Sequence, residues 1–261
     1  MNLEPLMDQI IEKMPKGQYP SINKADIESL QIPVPPIEIQ KKIISECEAI
    51  DKEYATSRMT IETYRKRISE IFDNLEVIAK EKMGGMLKQI CSYSNERISM
   101  SKMSVADYIS TDNLLQNCEG VKPYDGVPNT NSAVKYKKGD ILLSNIRPYL
   151  KKIWLADKDG GCSPDVLVIR LDSHDCLPEY VYHVMARQQF FDYVMTDVKG
   201  MKMPRGNKDN IMRYEIPVIP LAEQQQVINQ VKEYKEQINM AHKIITGCPK
   251  RKKAVLENYL N

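Results

Sequence analysis

Asn207-Lys208-Asp209-Asn210-Ile211, followed by Ile216-Pro217-Val218-Ile219-Pro220-Leu221, restates Asn23-Lys24-Ala25-Asp26-Ile27 and Ile32-Pro33-Val34-Pro35-Pro36-Ile37 at a distance of 184 residues. Gln40 falls on Gln224, Ile43 on Val227 and Ile44 on Ile228 in the same register. In each copy a strand end gives way to a charged amphipathic helix. A solenoid repeats every ~20–50 residues, so this spacing fits a large module that ends in a helix and is used twice, with the first copy mostly absent. Leu3, Leu6, Met7, Ile10 and Ile11 hold helical spacing. Lys16-Gly17 stands one residue out of register with Lys199-Gly200. Residues 1–31 therefore read as the end of a first module.

The helix that follows the first copy is expected over 36–80. Ile43, Cys47, Ile50, Tyr54, Ser57, Ile61, Tyr64, Ile68, Ile71, Leu75 and Ile78 recur in alternating steps of four and three, a heptad seam on which only Ser57 is clearly polar. Gly84-Gly85 supplies a stop. One apolar stripe cannot stand alone in water, and Val227, Val231, Tyr234, Ile238, Ala241 and Ile245 supply a matching seam after the second copy. An ordinary core-facing helix is the plainer reading of either stripe. The length and regularity of both favour an antiparallel two-helix coiled coil within one chain. Gly247-Cys248-Pro249 should interrupt the second helix, because proline removes a donor and clashes with the preceding turn.

Between the helices, residues 86–219 read as a compact module. Asp140-Ile141-Leu142-Leu143-Ser144, Lys152-Ile153-Trp154-Leu155-Ala156 and Val166-Leu167-Val168-Ile169-Arg170-Leu171 have strand composition, bounded by Gly, Pro and Asp. Pro178 to Met195 reads as one helix opened by proline at its first position. Strands followed by a helix make the fold class α+β.

Composition excludes several classes. At 42% hydrophobic and 28% charged the chain can bury a core, and no apolar run approaches the ~20 residues of a membrane span. No cleavable signal opens the sequence, so a cytoplasmic location with reduced thiols is expected for Cys47, Cys91, Cys118, Cys162, Cys176 and Cys248. There is no CxxC pair, and His174, His183 and His242 have no metal-ligand spacing, so no metal is expected. Net charge is +2, so a nucleic-acid partner has to be argued from local patches.

Gly139-Asp140-Ile141-Leu142-Leu143-Ser144-Asn145-Ile146-Arg147-Pro148-Tyr149, then Gly161-Cys162-Ser163-Pro164-Asp165, then the doubled Ile-Pro-Val-x-Pro-x-x-x-Gln entry to each helix, together resemble the specificity subunit of type I restriction-modification enzymes. The likeness covers essentially the whole chain. It implies a remnant of a first target-recognition domain at 1–31, a conserved long helix at 32–85, a target-recognition domain at 86–219 and a second conserved helix at 220–261. It implies a non-catalytic DNA-reading role directed at a bipartite target. The partners would be double-stranded DNA, DNA methyltransferase (modification) subunits and a restriction subunit, with no cofactor and no membrane. The reduced first domain leaves surface to cover, and a homodimer is the expectation that follows. Two other readings stay open: the specificity region of a fused restriction-methyltransferase polypeptide, and a coiled-coil assembly module without DNA readout.

Two loops carry the candidate DNA contacts. In the first, Asn145 and Arg147 offer the amide and the planar fork that suit adenine and guanine edges, beside Lys151 and Lys152. In the second, Lys199, Lys202, Arg205 and Lys208 place four cations in ten residues, with Gly200 and Gly206 easing the path, as a phosphate-binding loop requires. The alternatives are a surface arginine, a turn asparagine and a solvated linker. Lys135-Tyr136-Lys137-Lys138 is a third, commoner kind of basic patch. No P-loop, GxGxxG or methyltransferase motif is present, and Cys162-Ser163-Pro164-Asp165 reads as turn chemistry without a base to activate a nucleophile. Trp154 is expected in the core.

Overall fold

The computed structural model describes residues 4–13, 22–32, 34–82, 84–126, 128, 130–200 and 202–260. Leu3, Lys16, Gly17 and Met201 lie outside them, as do the side chains of Leu6, Met7 and Ile78. The chain divides into two compact units, residues 1–66 with 234–261, and residues 67–233, so both long helices pass from one unit into the other.

The first unit is helical. Helices α1 (Glu4–Lys13) and α2 (Lys24–Glu28) precede the first part of α3 (Ile37–Lys82). Asn23 caps α2 in a reciprocal box, its side chain accepting from the Asp26 amide at 2.9 Å while Asp26 accepts from the Asn23 amide at 3.0 Å. The last part of α7 (Leu221–Leu260) runs antiparallel to α3 here. The Tyr64 ring packs at a tilt against Tyr234 with ring centroids 5.1 Å apart, Cys248 and Val255 pack on Ile50, and Tyr259 donates to Glu46 at 2.6 Å. Rising numbers on one helix thus meet falling numbers on the other. Arg251 to Glu53 and Lys252 to Asp51 add exposed ion pairs. Ile50, Ser57 and Ile61 are buried, while Ile43, Tyr64 and Ile238 are half-buried. Tyr54, which the heptad places on the seam, is 39% exposed.

The expected interruption at Pro249 does not occur, and α7 is helical through it. Proline in a helix interior costs about 3 kcal/mol. Packing on both sides offsets this: Cys248 and Val255 are buried against Ile50. The Thr246 hydroxyl also bonds back to the His242 and Lys243 carbonyls at 3.0 and 3.1 Å, a contact that lets a helix bend.

The second unit holds the module. Strand β1 (Gly84–Met86) follows α3, then β2 (Cys91–Tyr93), β3 (Arg97–Ser99), β4 (Tyr108–Ile109), β5 (Ser132–Tyr136), β6 (Ile141–Ser144), β7 (Ile153–Leu155), β8 (Gly160–Cys162) and β9 (Val166–Leu171). Helices α4 (Pro178–Met185) and α5 (Gln188–Met195), the hairpin β10 (Val198–Lys199) and β11 (Arg205–Gly206), α6 (Lys208–Ile211) and β12 (Glu215–Pro217) lead into α7. Two four-stranded sheets run in the orders β2-β9-β6-β7 and β3-β5-β8-β4, and β1 pairs antiparallel with β12.

The continuous apolar runs of β6 and β9 have a physical reason. Ile141, Leu143, Leu167 and Ile169 face one core with Tyr180, Val184, Phe190 and Phe191 of α4 and α5. Leu142, Val166 and Val168 face a second core with Tyr136, Trp154 and Cys162. A sheet buried on both faces has no polar side to alternate with. The seam ends of the long helices join the first core through Phe72, Leu75, Val227 and Val231, with Ile68 packed at its edge.

The single helix expected over 178–195 is two helices broken at Ala186-Arg187. Arg187 is extended, with φ −82° and ψ 156°. Its buried guanidinium pairs with Asp73 and Glu76 of α3 and lies 5.4 Å from the centre of the Phe72 ring. That arrangement turns the chain out of helical geometry.

Candidate nucleic-acid interface

The two basic loops singled out in the sequence, some sixty positions apart, are hydrogen-bonded to each other. The first leaves β6, whose buried side chains fix its root. The second is the turn between β10 and β11 and its continuation. Ile146 and Arg205 form an antiparallel bridge, the Arg147 amide donates to the Pro204 carbonyl at 2.8 Å, and the Gly206 amide donates to the Asn145 carbonyl at 3.1 Å. The Asn145 amide in turn donates to the Asp165 carbonyl at 2.9 Å, which brings the Ser163-Pro164-Asp165 turn to the same place.

The first loop is tightly wound. Arg147 and Lys151 both adopt the left-handed region, at φ 51° and 52°, on either side of a 3-10 turn over Pro148–Leu150. Non-glycine residues rarely hold that conformation, so the surrounding contacts must impose it. The Lys151 carbonyl accepts from the Cys118 amide at 2.8 Å, and Pro148 is buried beneath the turn. The winding leaves Arg147 and Tyr149 exposed.

On the second loop Lys199, Lys202, Met203, Arg205 and Lys208 are exposed. Gly200, at φ +87°, makes the turn between β10 and β11. Asn207 closes the loop by capping α6, its side chain accepting from the Asp209 amide at 3.0 Å and donating to Asp197 at 2.8 Å. Arg205 lies 3.3 Å from Asp165, with both side chains about half exposed.

Exposed cations from two segments thus share one paired-loop scaffold, with the exposed Tyr149 and the Asp165 carboxylate among them. Arginine matches guanine or phosphate, and an acceptor such as Asp165 matches the cytosine amino group. The half-exposed Arg205–Asp165 pair contributes about 0–1 kcal/mol, so either partner can exchange for DNA at little cost.

Not every candidate points outward. The Asn145 side-chain oxygen is buried without a hydrogen-bond partner among the described residues, 3.1 Å from where a Cβ on Gly206 would stand. Asn145 joins the loops through its backbone amide and carbonyl, with its side-chain oxygen turned inward. The Lys152 ammonium donates to the Thr111 carbonyl at 2.5 Å and is half-buried, and the Lys151 ammonium donates to Gln188 at 3.1 Å. The third patch is partly neutral: Tyr136 lies in the core, edge-on to Trp154, and Lys137 sits 3.6 Å from Glu96. Sequence reading passed over Asp165 as a partner of Arg205. Its signal was an acid inside a motif already singled out.

Nucleophilic chemistry has little support here. The Cys162 thiol is buried and its pKa is pushed up to about 12 by burial, which outweighs the opposing pull of the Arg97 charge, with the Asp140 carboxylate adding a smaller upward push. Among the described residues no cluster of His, Cys, Asp or Glu could hold a metal ion, and no helix is long and apolar enough to cross a membrane.

The chain is 30% identical over 111 residues to the EcoDI type I restriction enzyme specificity subunit of Escherichia coli, a match that takes in 42% of this chain and 23% of that one. Its fold resembles the HsdS subunit from Thermoanaerobacter tengcongensis, with TM-score 0.50 at 14% identity over 98% of this chain and 67% of that one. It also resembles the type I restriction-modification S subunit from M. genitalium, with TM-score 0.57 at 13% identity over 99% and 71%. The type I restriction modification DNA specificity domain matches residues 6–63 and 66–247, nearly the whole chain, and the protein belongs to that family.

Proposed function

We propose that this chain is a non-catalytic sequence-specificity component of a type I restriction-modification system. Its module at 86–219 reads one part of a bipartite DNA target, and it directs methyltransferase and restriction subunits there. The observation that carries the reading is the joining of the two basic loops at Ile146 and Arg205 in a chain of the specificity family. Arg147, with Asp165 and Arg205 beside it, is assigned to base edges. Lys202 and Lys208, with Lys151 at the margin, are assigned to phosphates. A protein neutralising several phosphates loses affinity steeply as salt rises, with a slope of about −0.9 per phosphate on duplex DNA. The test is to assemble the chain with its methyltransferase subunits, map methylated sites by sequencing, and measure the salt dependence of binding. A discrete methylated motif with a steep slope supports the reading. Salt-independent binding, or methylation without a motif, removes it.

A further inference from the structure

The non-glycine residues with left-handed backbones, among the described residues, are Asn117, Cys118, Arg147 and Lys151, and they lie together. The Cys118 amide donates to the Lys151 carbonyl at 2.8 Å, and the Leu150 amide donates to the Arg147 carbonyl at 2.9 Å. Residues in that conformation are strained and persist only where their surroundings over-determine them. The Arg147 end of the first basic loop is held by the second loop, through the Pro204 carbonyl. The Lys151 end is held from a different part of the module.

Three consecutive residues at the break between α4 and α5 hold it. The last carbonyls of a helix lack intrahelical donors, and the Ala186 carbonyl accepts from the Cys118 thiol at 3.4 Å. The Gln188 side-chain oxygen accepts from the Lys151 ammonium at 3.1 Å, while its amide group donates to Asp192 at 2.8 Å. Between them Arg187 reaches the other way. Its side chain is 7% exposed and pairs with both Asp73 and Glu76 of α3. Gln189 adds a donor to Asp73 at 3.4 Å. All of these residues belong to the unit formed by residues 67–233. A planar guanidinium can engage two carboxylates at once in a fixed geometry, which a single ammonium does less well. An ordinary packing ion pair would account for Arg187 by itself. It would not account for both of its neighbours reaching strained residues of the DNA-reading loop.

We propose that Arg187 is a positioning residue for base readout. Anchored on α3, it fixes residues 186–188 where they keep Cys118 and Lys151 left-handed. The turn that ends at Lys151 then aims the Arg147 guanidinium. Arg187 itself touches no DNA, because it is buried and two carboxylates engage it. Base contacts demand exact placement, whereas attraction to phosphates is sequence-independent and tolerates displacement. Loosening residues 186–188 therefore costs discrimination and spares general affinity. This inference rests on the reading of Arg147 as a base contact and adds the residue that places it.

Amide hydrogen exchange on the full chain tests the positioning without DNA. Arg187→Met removes the charge and keeps an unbranched side chain. It speeds exchange of the Cys118 and Lys151 amides by about tenfold or more, with Arg187→Lys between it and the parent, while the paired strands β6 and β9 keep their protection. Unchanged exchange at Cys118 and Lys151 overturns the proposal. Where Arg187→Met also loosens β6 and β9, Gln188→Ala decides, because Gln188 is exposed and belongs to neither core. It speeds exchange at Lys151 with β6 and β9 protected, and no change at Lys151 overturns the proposal. The second readout uses the chain assembled with its methyltransferase subunits. Arg187→Met narrows the preference for the methylated motif over unrelated DNA by about tenfold, the scale of one weakened base contact. The salt slope stays the same, since every cation assigned to phosphate remains. Equal weakening on both DNAs, or a preference left intact, overturns this proposal alone. A parent chain without any preference removes the reading of Arg147 itself, and this proposal with it.

Discussion

Asp165 holds Arg205 at 3.3 Å, directly beside the bridge that Arg205 forms with Ile146. The acid therefore stands among the cations assigned to DNA. Asp165→Asn keeps the shape and removes a negative charge. Binding to unrelated DNA should tighten severalfold at low salt, and discrimination between target and unrelated sequence should narrow. Titration of both DNAs checks this. Weaker binding to unrelated DNA would show that Asp165 supports the loop and does not filter bases.

Arg147 and Lys202 should fail in different ways. Arg147→Ala should cost about 1–3 kcal/mol on the specific site and relax preference at one base position. Lys202→Ala should weaken all sequences alike and lower the salt slope by about one. The Arg147 backbone is left-handed, so Arg147→Gly is a useful companion. It relieves the backbone and removes the same side chain. Loss in both variants assigns the effect to the guanidinium, whereas loss in the alanine variant alone assigns it to strain.

Much of this architecture was legible because it repeats. The repeated helix entries, the paired Gln residues and the heptad steps from Ile43 to Leu75 are local signals, and each dictates local geometry. What escaped were long-range contacts that override local preference. Pro249 reads as a stop, yet Cys248 and Val255 pack on Ile50 and hold the helix through it. Residues 178–195 read as one helix, but the ion pairs of Arg187 with α3 break it. The basic loops were visible as composition. Their pairing was not, and neither was the inward turn of Asn145, since both depend on partners some twenty to sixty residues distant.

Gly160 is a packing requirement that composition hides. A Cβ there would collide with the Asp107 carbonyl and with the ring and hydroxyl of Tyr136, while Tyr136 itself donates to Asp107 at 2.8 Å. Gly160→Ala must displace a fully buried tyrosine or the β4 end of its sheet. A loss of about 1–3 kcal/mol in stability is expected, measurable by urea unfolding. Gly120→Ala, where nothing lies within 4 Å but φ is +88°, separates backbone strain from collision.

Ile61 is 6% exposed on the seam of α3. Ile61→Asp removes a buried apolar side chain and puts a carboxylate in its place, a loss of about 3 kcal/mol or more. Helicity should fall and Tm should drop. Met59→Asp, two residues earlier and 68% exposed, should do neither. Equal tolerance of both would mean that the α3 seam does not carry the stability of the helix pair.

Pro249 tests the same pair from the other helix. It lies inside α7 without an amide to give, so the Ile245 carbonyl four residues earlier lacks its helical donor. Pro249→Ala restores that donor and removes the ring from the preceding turn. The intrinsic preference amounts to about 3 kcal/mol in a regular helix. Some of it is already relieved where Thr246 bonds back to His242 and Lys243. A gain of about 1–2 kcal/mol is expected, a rise of roughly 2–8 °C in Tm for a domain of this size class, with slower amide exchange from Thr246 to Arg251. A fall in Tm would carry a different meaning. The bend at proline would then be what brings Cys248 and Val255 onto Ile50, and straightening the helix would separate them.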